Sequence, residues 1–291
     1  MSLNDETTPR TVPRVVVVTG ATGGIGLAAA VAFAASGDTV VATHRGSAPP
    51  AALAAAVTAA EGRMDALEVD VANEQSCESA IEFVMSRHGH IDVLVNNAGV
   101  GYVATLEQLT IDDLRRSMEV NFFGVARLTK AVLPSMRARR SGRVVAVTSL
   151  GGTLGQPFND AYCAAKFAVE GLFESLYPVE ARFGVFASIV EPGPVATAFR
   201  TNSARPSPGE DPELTELLAR YDAMMSGGES RAQSPEGAAE VIVAVSREEK
   251  PLLRYQTSNF TTKLASLKLS DLTGERVTSF TAGWLEAPVQ G

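Results

Sequence analysis

The sequence predicts an α/β fold, a doubly wound parallel sheet of about seven strands with helices on both faces. Three observations carry this. Short β-branched runs alternate with helical segments from residue 14 to residue 190. The first run passes directly into a glycine-rich turn, Gly20-Ala-Thr-Gly-Gly-Ile-Gly26, which opens a helix. No repeat or Pro/Gly-rich linker divides the chain, so residues 14–291 are expected to form one domain behind a loose polar tail, 1–13.

Residues 14–19 (Arg-Val-Val-Val-Val-Thr) read as a strand buried on both faces. Residues 27–35 are alanine-rich and helical, closed by Gly37. A second strand is expected over 39–43 and a helix over 49–60, with proline in its first turn. A third strand is expected over 66–70, a helix over 74–87 and a strand over 91–96. Helical spacing runs over 111–137, where Pro134 predicts a kink or a late start to the final turn. A strand over 143–148 precedes a long helix over 160–182, which Pro178 is expected to bend or end near Leu176. A sixth strand occupies 185–190. The pattern then breaks. Residues 198–232 mix Ser, Pro, Gly and acids around a short helix at 212–225 and read as a mobile substrate segment at the carboxyl edge of the sheet. Ser234-Pro235 caps another helix, and 252–257 is expected to be the last strand.

Composition narrows the function classes. The chain has 291 residues, 45% hydrophobic content and a net charge of −8, with pI about 5.1 and mean hydropathy +0.08. This excludes a nucleic-acid binder as the first reading. Arg137, Arg139, Arg140 and Arg143 form the one dense basic cluster and read as a solvated helix end. The two cysteines make no disulfide framework. No apolar run reaches the roughly 18 residues of a membrane span. A cytoplasmic enzyme fits these facts, and no metal site is called for.

The glycine turn suits a dinucleotide. Between strand and helix, glycines let the backbone approach a pyrophosphate seated on the helix N-terminus. An acid about 20 residues on would favour NAD(H). Counting from Gly24 reaches His44 and then Arg45, with no carboxylate, and Asp38 lies at the wrong end of its strand. Arginine suits a 2′-phosphate, so NADP(H) is preferred over NAD(H). The alternative for Arg45 is a solvated loop residue. Further on, Tyr162 and Lys166 are four apart, one helical turn. A lysine cation there would lower the phenol pKa and make Tyr162 a proton donor and acceptor for alcohol and ketone chemistry. The alternative is an ordinary solvated helix pair.

These motifs stand in the order Thr19–Gly26, Asp70-Val71, Asn96-Asn-Ala-Gly99, Asn121, Ser149, Tyr162-Cys-Ala-Ala-Lys166 and Pro192-Gly-Pro-Val-Ala-Thr197. In that order they resemble the short-chain dehydrogenase/reductase family, a Rossmann-type fold, over roughly residues 14–200. Ala42-Thr-His-Arg45 and residues 190–199 look more like its 17β-hydroxysteroid dehydrogenase type 1-like and retinol dehydrogenase-like branch. The resemblance implies catalytic roles. Tyr162 exchanges the proton, Ser149 holds the substrate oxygen, Lys166 tunes Tyr162 and bonds the nicotinamide ribose, and Asn121 joins a water relay to Lys166. For Asn121 the alternative is helix or bulge geometry. The resemblance also implies cofactor contacts. Gly20, Thr22, Gly24, Ile25 and Gly26 meet the pyrophosphate, and Asp70 and Val71 flank the adenine. Asn97, Ala98 and Gly99 approach the adenosine side. Pro192, Gly193, Val195 and Thr197 frame the nicotinamide. Asn96 and Asn97 can equally serve a strand-end turn. Family members commonly form homodimers or homotetramers through the helices at 111–138 and 160–182.

The residues expected to face a small-molecule carbonyl or alcohol substrate are largely uncharged: Val100, Tyr102, Leu150, Leu154, Pro157, Phe158, Phe199, Tyr221, Met224 and Met225. Residues 150–160 would form one wall. Apolar walls suit a hydrophobic substrate, although Met and aromatic residues also serve ordinary packing. A non-catalytic NADP(H) sensor on the same fold is the alternative function.

Overall fold

The computed structural model describes residues 13–206, 211–227, 232–270, 273 and 275–283. Most of the expected tail, the ends of the chain and two short stretches of the expected substrate segment lie outside the described residues. Seven strands form one parallel sheet in the order β3-β2-β1-β4-β5-β6-β7. They are β1 (Val15–Val18), β2 (Thr39–His44), β3 (Met64–Glu68), β4 (Val93–Asn96), β5 (Gly142–Val147), β6 (Val185–Glu191) and β7 (Arg254–Gln256). The order reverses between β1 and β4, which opens a crevice at their carboxyl ends.

The sheet explains the continuous apolar runs. Val15 and Val17 join one core with Val41, Leu94 and Val144. Val16 and Val18 join the opposite core with Val40, Val95 and Val145. The first core is closed by α3 (Glu74–His88), α5 (Gly124–Arg139) and α7 (Asp160–Glu180), the second by α1 (Gly24–Ala35), α2 (Ala51–Ala59) and α9 (Pro235–Val245). Each fully buried Val contributes about 1.5–3 kcal/mol as an upper estimate. The remaining helices are α4 (Ile111–Met118), α6 (Leu150–Thr153), α8 (Pro212–Gly227), α10 (Asn259–Leu269) and α11 (Glu275–Ala282).

Several expectations are corrected. Helix α5 runs unbroken through Pro134 to Arg139, and α7 through Pro178 to Glu180. Both prolines lie on the exposed face of their helices, as do Lys130 and Glu174 one turn earlier. The interruption lies instead at a π-helical turn, Glu119–Phe123, where Gly124 N–H donates to the Glu119 carbonyl. Beta-strand three begins two residues early, because its register with β2 starts at Val40 and Met64. Asp70 and Val71 therefore fall in the loop beyond it.

The arginine cluster lies at the exposed end of α5, as expected, and its members are also paired. Arg137 pairs with buried Glu180 and Arg139 with Asp92. Arg140 donates to the Arg182 carbonyl. Arg143 lies 4.9 Å over the Phe186 ring. These contacts fasten α5 and β5 to their neighbours. Among the described residues no helix is long and apolar enough to cross a membrane.

Candidate active site

The site grows from the seam between α7 and the end of β5. Tyr162, Lys166 and Glu170 share one helix face, spaced four apart. They meet three consecutive residues. Tyr162 faces the Ser149 hydroxyl, close enough for that group to pull its phenol pKa down, Lys166 Nζ donates to the Val147 carbonyl at 2.9 Å, and Glu170 Oε1 accepts from Thr148 Oγ1 at 2.7 Å. Ser149 also caps α6, accepting from Gly151 N–H at 3.0 Å, which fixes its hydroxyl.

Burial dominates the electrostatics. It pushes the Tyr162 phenol above its ordinary value, and the Ser149 hydroxyl only partly opposes this. It pushes the Lys166 ammonium down to about 8, against the pull of the Glu170 charge. Lys166 Nζ stands 5.7 Å from the Tyr162 ring centroid. The expected net lowering of the Tyr162 pKa by Lys166 is therefore corrected: desolvation of the buried phenol is the largest influence on it and acts upward. Tyr162 stands as an acid.

Asn121 sits in the π turn, fully buried. Its Oδ1 accepts from Val100 N–H at 3.0 Å and its Nδ2 donates to the Val100 carbonyl at 2.9 Å and to Ser117 Oγ at 3.2 Å. Its side chain is thus a clamp on the loop after β4. A Cβ placed on Gly99 would stand 2.9 Å from Asn121 Oδ1 and 3.8 Å from Lys166 Nζ, so both residues close on this corner. Pi-helical turns recur at functional sites.

The crevice between β1 and β4 is a backbone cradle. Gly20 has φ +65, and a Cβ there would lie 2.7 Å from Ala98 Cα. Gly24 has φ +52, and a Cβ would lie 2.9 Å from Thr197 Cγ2, which brings the end of the β6 motif against the glycine turn. Helix α1 begins at Gly23 with no side-chain cap and no acid in its first turn. By contrast α3, α4, α9 and α10 are capped by Asn73, Thr110, Ser234 and Ser258. The first-turn N–H groups of Gly24, Ile25 and Gly26 are thus left for an anion, and Thr22 and Gly23 lie exposed at the mouth. This cradle fits the pyrophosphate of a dinucleotide. Asn97 does not reach out: its Nδ2 donates to the carbonyls of Thr19 and Gly20 at 2.9 and 3.2 Å. Thr19 Oγ1 accepts from the N–H groups of Asn97 and Ala98. These bonds brace the turn.

At the adenosine end, Arg45, Asp70, Ala72, Arg116, Glu119 and Val120 line a cleft of about 200 Å³. Asp70 Oδ1 accepts from Ala72 N–H at 3.0 Å, a local turn, and Val71 packs beneath on Gly124. Arg116 was not foreseen, since a lone arginine on an amphipathic helix carries no signal. Asp38 is held by Arg14 and Arg247 at the opposite edge of the sheet. Pro192 accepts from Leu150 N–H through its carbonyl at 2.8 Å. Gly193 lies against Thr261 and Phe260 of α10, and Val195 bridges Gln233.

The expected substrate wall divides. Leu150 and Leu154 are buried against Leu264 of α10, and Tyr102 is buried with Ala104, Leu109 and Ala161. Each of these side chains is thus packed in an apolar cluster. Phe158, in the left-handed region at φ 59, packs with Val103 and Tyr221, against which Leu217, Met224 and Met225 lie. Tyr221 also receives a 2.6 Å hydrogen bond from Asn159 Nδ2. Phe199 faces the reactive group, its ring centroid 5.5 Å from that of Tyr162. The described parts of the expected mobile segment are latched by Asp222, which pairs with Arg200 at 2.7 Å and Arg205 at 2.9 Å.

Comparisons with known proteins agree with this arrangement. The family model described as short chain dehydrogenase matches residues 14–207. Retinol dehydrogenase 8 of Bos taurus is 40% identical over 277 residues, covering 90% of this chain and 87% of its own. The 17-beta-hydroxysteroid dehydrogenase type 1 of Homo sapiens is 39% identical over 272 residues, covering 89% and 82%. A solved short-chain dehydrogenase from Streptomyces avermitilis superposes with a TM-score of 0.80 at 33% identity, covering 95% of this chain and 97% of that one. With the parallel sheet, the glycine cradle and the Ser149–Tyr162–Lys166 seam, these matches show that the chain belongs to the short chain dehydrogenase family, oxidoreductases acting on CH–OH groups, on its hydroxysteroid and retinol dehydrogenase-like branch.

Proposed function

We propose that the protein interconverts a ketone or aldehyde and an alcohol with NADP(H), on a hydrophobic substrate. The observation that carries this reading is the buried Tyr162 phenol beside the Ser149 hydroxyl, with Lys166 one turn behind it. The nicotinamide cofactor supplies the hydride donor or acceptor when bound. Tyr162 donates its proton to the carbonyl oxygen in reduction and withdraws it from the alcohol in oxidation. Ser149, fixed by Gly151 N–H, orients that oxygen. Lys166 stabilises the phenolate that proton donation leaves, and its ammonium would hold the ribose hydroxyls. Asn121 shapes the Gly99 corner, through which we place the proton path from Lys166 to solvent.

Two cations support NADP(H) over NAD(H). Arg45 and Arg116 line the same cleft, whose other charged residues are Asp70 and Glu119, and Glu119 pairs with Arg127. Phe199 beside Tyr162 and the apolar cluster of α8 support a hydrophobic substrate. Exposed Phe123, Phe167 and Val179, along the helices 111–139 and 160–180, support a homodimer or homotetramer. Sedimentation as a monomer would exclude that assembly. A cytoplasmic location belongs to the same reading and rests on composition, and localisation of the tagged chain tests it.

The test is a carbonyl panel followed by NADPH oxidation, with Tyr162→Phe alongside. Turnover should drop by about 10²–10⁴-fold while NADPH still binds. Near-normal turnover of the variant, or NADPH binding without turnover of any carbonyl by the unaltered protein, overturns the reading, and the second result favours a sensor. Arg45→Ala should raise the NADP(H) KM by about tenfold or more and leave NAD(H) kinetics nearly unchanged. Equal effects on both cofactors would remove the NADP(H) preference.

A further inference from the structure

Beneath Lys166 lies a second cluster of ionisable groups that the reaction above does not use. Glu170 and Glu191 are buried, on α7 and at the end of β6. Glu170 Oε1 is taken by Thr148, and Glu191 Oε2 accepts from Gln256 Nε2 at 2.6 Å. The other two oxygens, Glu170 Oε2 and Glu191 Oε1, are buried and have no hydrogen-bond partner. The two carboxyls are neighbours: the Thr148 hydroxyl that serves Glu170 also reaches, at 3.3 Å, the carbonyl of Val190, the residue before Glu191. The neighbouring charges are few. Arg254 of β7 approaches Glu170 Oε2 at 3.3 Å but gives its hydrogen bond to Glu174 at 2.8 Å. Lys166 is the other cation, one turn before Glu170 on α7. From α6, Gly152 closes the cluster, where a Cβ would stand 3.1 Å from Glu170 Oε1 and 3.3 Å from Lys166 Cβ.

Two neighbouring buried carboxylates, of which only Glu170 is paired with an arginine, are costly unless a proton joins them. We propose that Glu170 and Glu191 share one proton, and that through it Glu170 acts as a positioning residue, holding Thr148 beside Ser149 and setting the charge state of Lys166. The proton moves between existing oxygens, from the Glu170 acid to the Glu191 carboxylate or to solvent, and no other reactant is needed. Burial and the Glu191 charge hold the Glu170 carboxyl up at about 7 against the Thr148 hydrogen bond. The pair therefore changes charge across neutrality, directly behind the lysine. The carboxyl pair stands on its own geometry. Its link to Lys166 rests on the proposed function.

Infrared difference spectroscopy of the whole protein tests the pair without reference to activity. A carboxylic-acid carbonyl band should disappear as the pH rises through neutrality. Glu170→Gln, which keeps the oxygen facing Thr148, should abolish that band. Glu191→Gln, which removes the like charge, should move its midpoint to lower pH by on the order of one unit. If no carboxyl titrates near neutrality, or if neither variant alters the band, the pair is refuted. Should Glu170→Gln fail to fold, the midpoint in Glu191→Gln decides alone. Kinetics test the link. Lys166 in Glu170→Gln loses the charge that raises its pKa, so the basic limb of kcat/KM for carbonyl reduction should fall by on the order of one pH unit. A purely structural role would lower the rate and leave the limb in place, which overturns the link. Retained activity in Tyr162→Phe would overturn the catalytic reading and leave the infrared result untouched.

Discussion

The glycine turn and the α7–β5 seam solve opposite problems with opposite materials. The turn is made of backbone. Its glycines remove side chains so that N–H groups can face an anion, and Asn97 and Thr19 brace it through main-chain partners. The seam is made of buried side chains, a phenol, an ammonium and a carboxyl, set on Ser149, the Val147 carbonyl and Thr148. A binding surface for a charged ligand gains from exposed dipoles already in place. A proton-transfer site gains from desolvation, which moves pKa values. The teaching of the contrast is that a substitution in the turn should act through shape, and one in the seam through charge.

The sharpest break of that contrast is the Tyr162→Phe result given above, a loss of about 10²–10⁴-fold in turnover with cofactor binding kept. The turn should behave in reverse. Gly20→Ala puts a Cβ 2.7 Å from Ala98 Cα in a left-handed conformation. It should cost about 1–2 kcal/mol in backbone strain alone, and more through displacement of the loop after β4. Denaturant unfolding and NADPH titration should both show the loss. Unchanged stability together with unchanged binding would mean that the turn tolerates side chains and that the shape argument is wrong.

The smallest expected effect is on stability against pH, and it belongs to the seam. Glu170 is raised from 4.5 to about 7 in the folded protein, so the folded state holds this proton more tightly than the unfolded chain. Its contribution is full below pH 4.5 and is lost as the pH rises through about 7. Urea midpoints measured at about pH 5 and pH 8 should therefore fall more for the unaltered protein than for Glu170→Gln. Equal falls would show that Glu170 contributes nothing to the pH dependence.

Much of this was legible in the residues. Strand runs in two-sided burial leave continuous Val and Ile, and the glycine turn is compact in sequence, so both the sheet and the crevice can be read locally. The Tyr162–Lys166 pair is legible because helical spacing alone brings the two together. Glu170 carries the same spacing from Lys166, and a reader following that stripe one turn further would have met it. Other features gave no local sign. The π turn at Asn121 inserts a single residue, a phase step too small to read within one amphipathic run. Arg116 and Arg45, distant in sequence, come to one cleft only in the folded chain. Leu150 and Leu154, apolar and beside the site, could as well face a substrate as Leu264. Only the docking of α10 sends them to the core.

The amino-acid sequence by itself determined the order of elements, the parallel sheet, the cradle for a dinucleotide and the residues of the seam, because each depends on contacts within a turn or a strand. Tertiary structure alone decided which apolar side chains are walls and which are packing. It also decided that Asn121 and Asn97 spend their side chains inside the protein. It set the sign of the Tyr162 shift, where the sequence offers only the nearby lysine. Desolvation is a property of everything packed around a group, and no spacing along the chain records it.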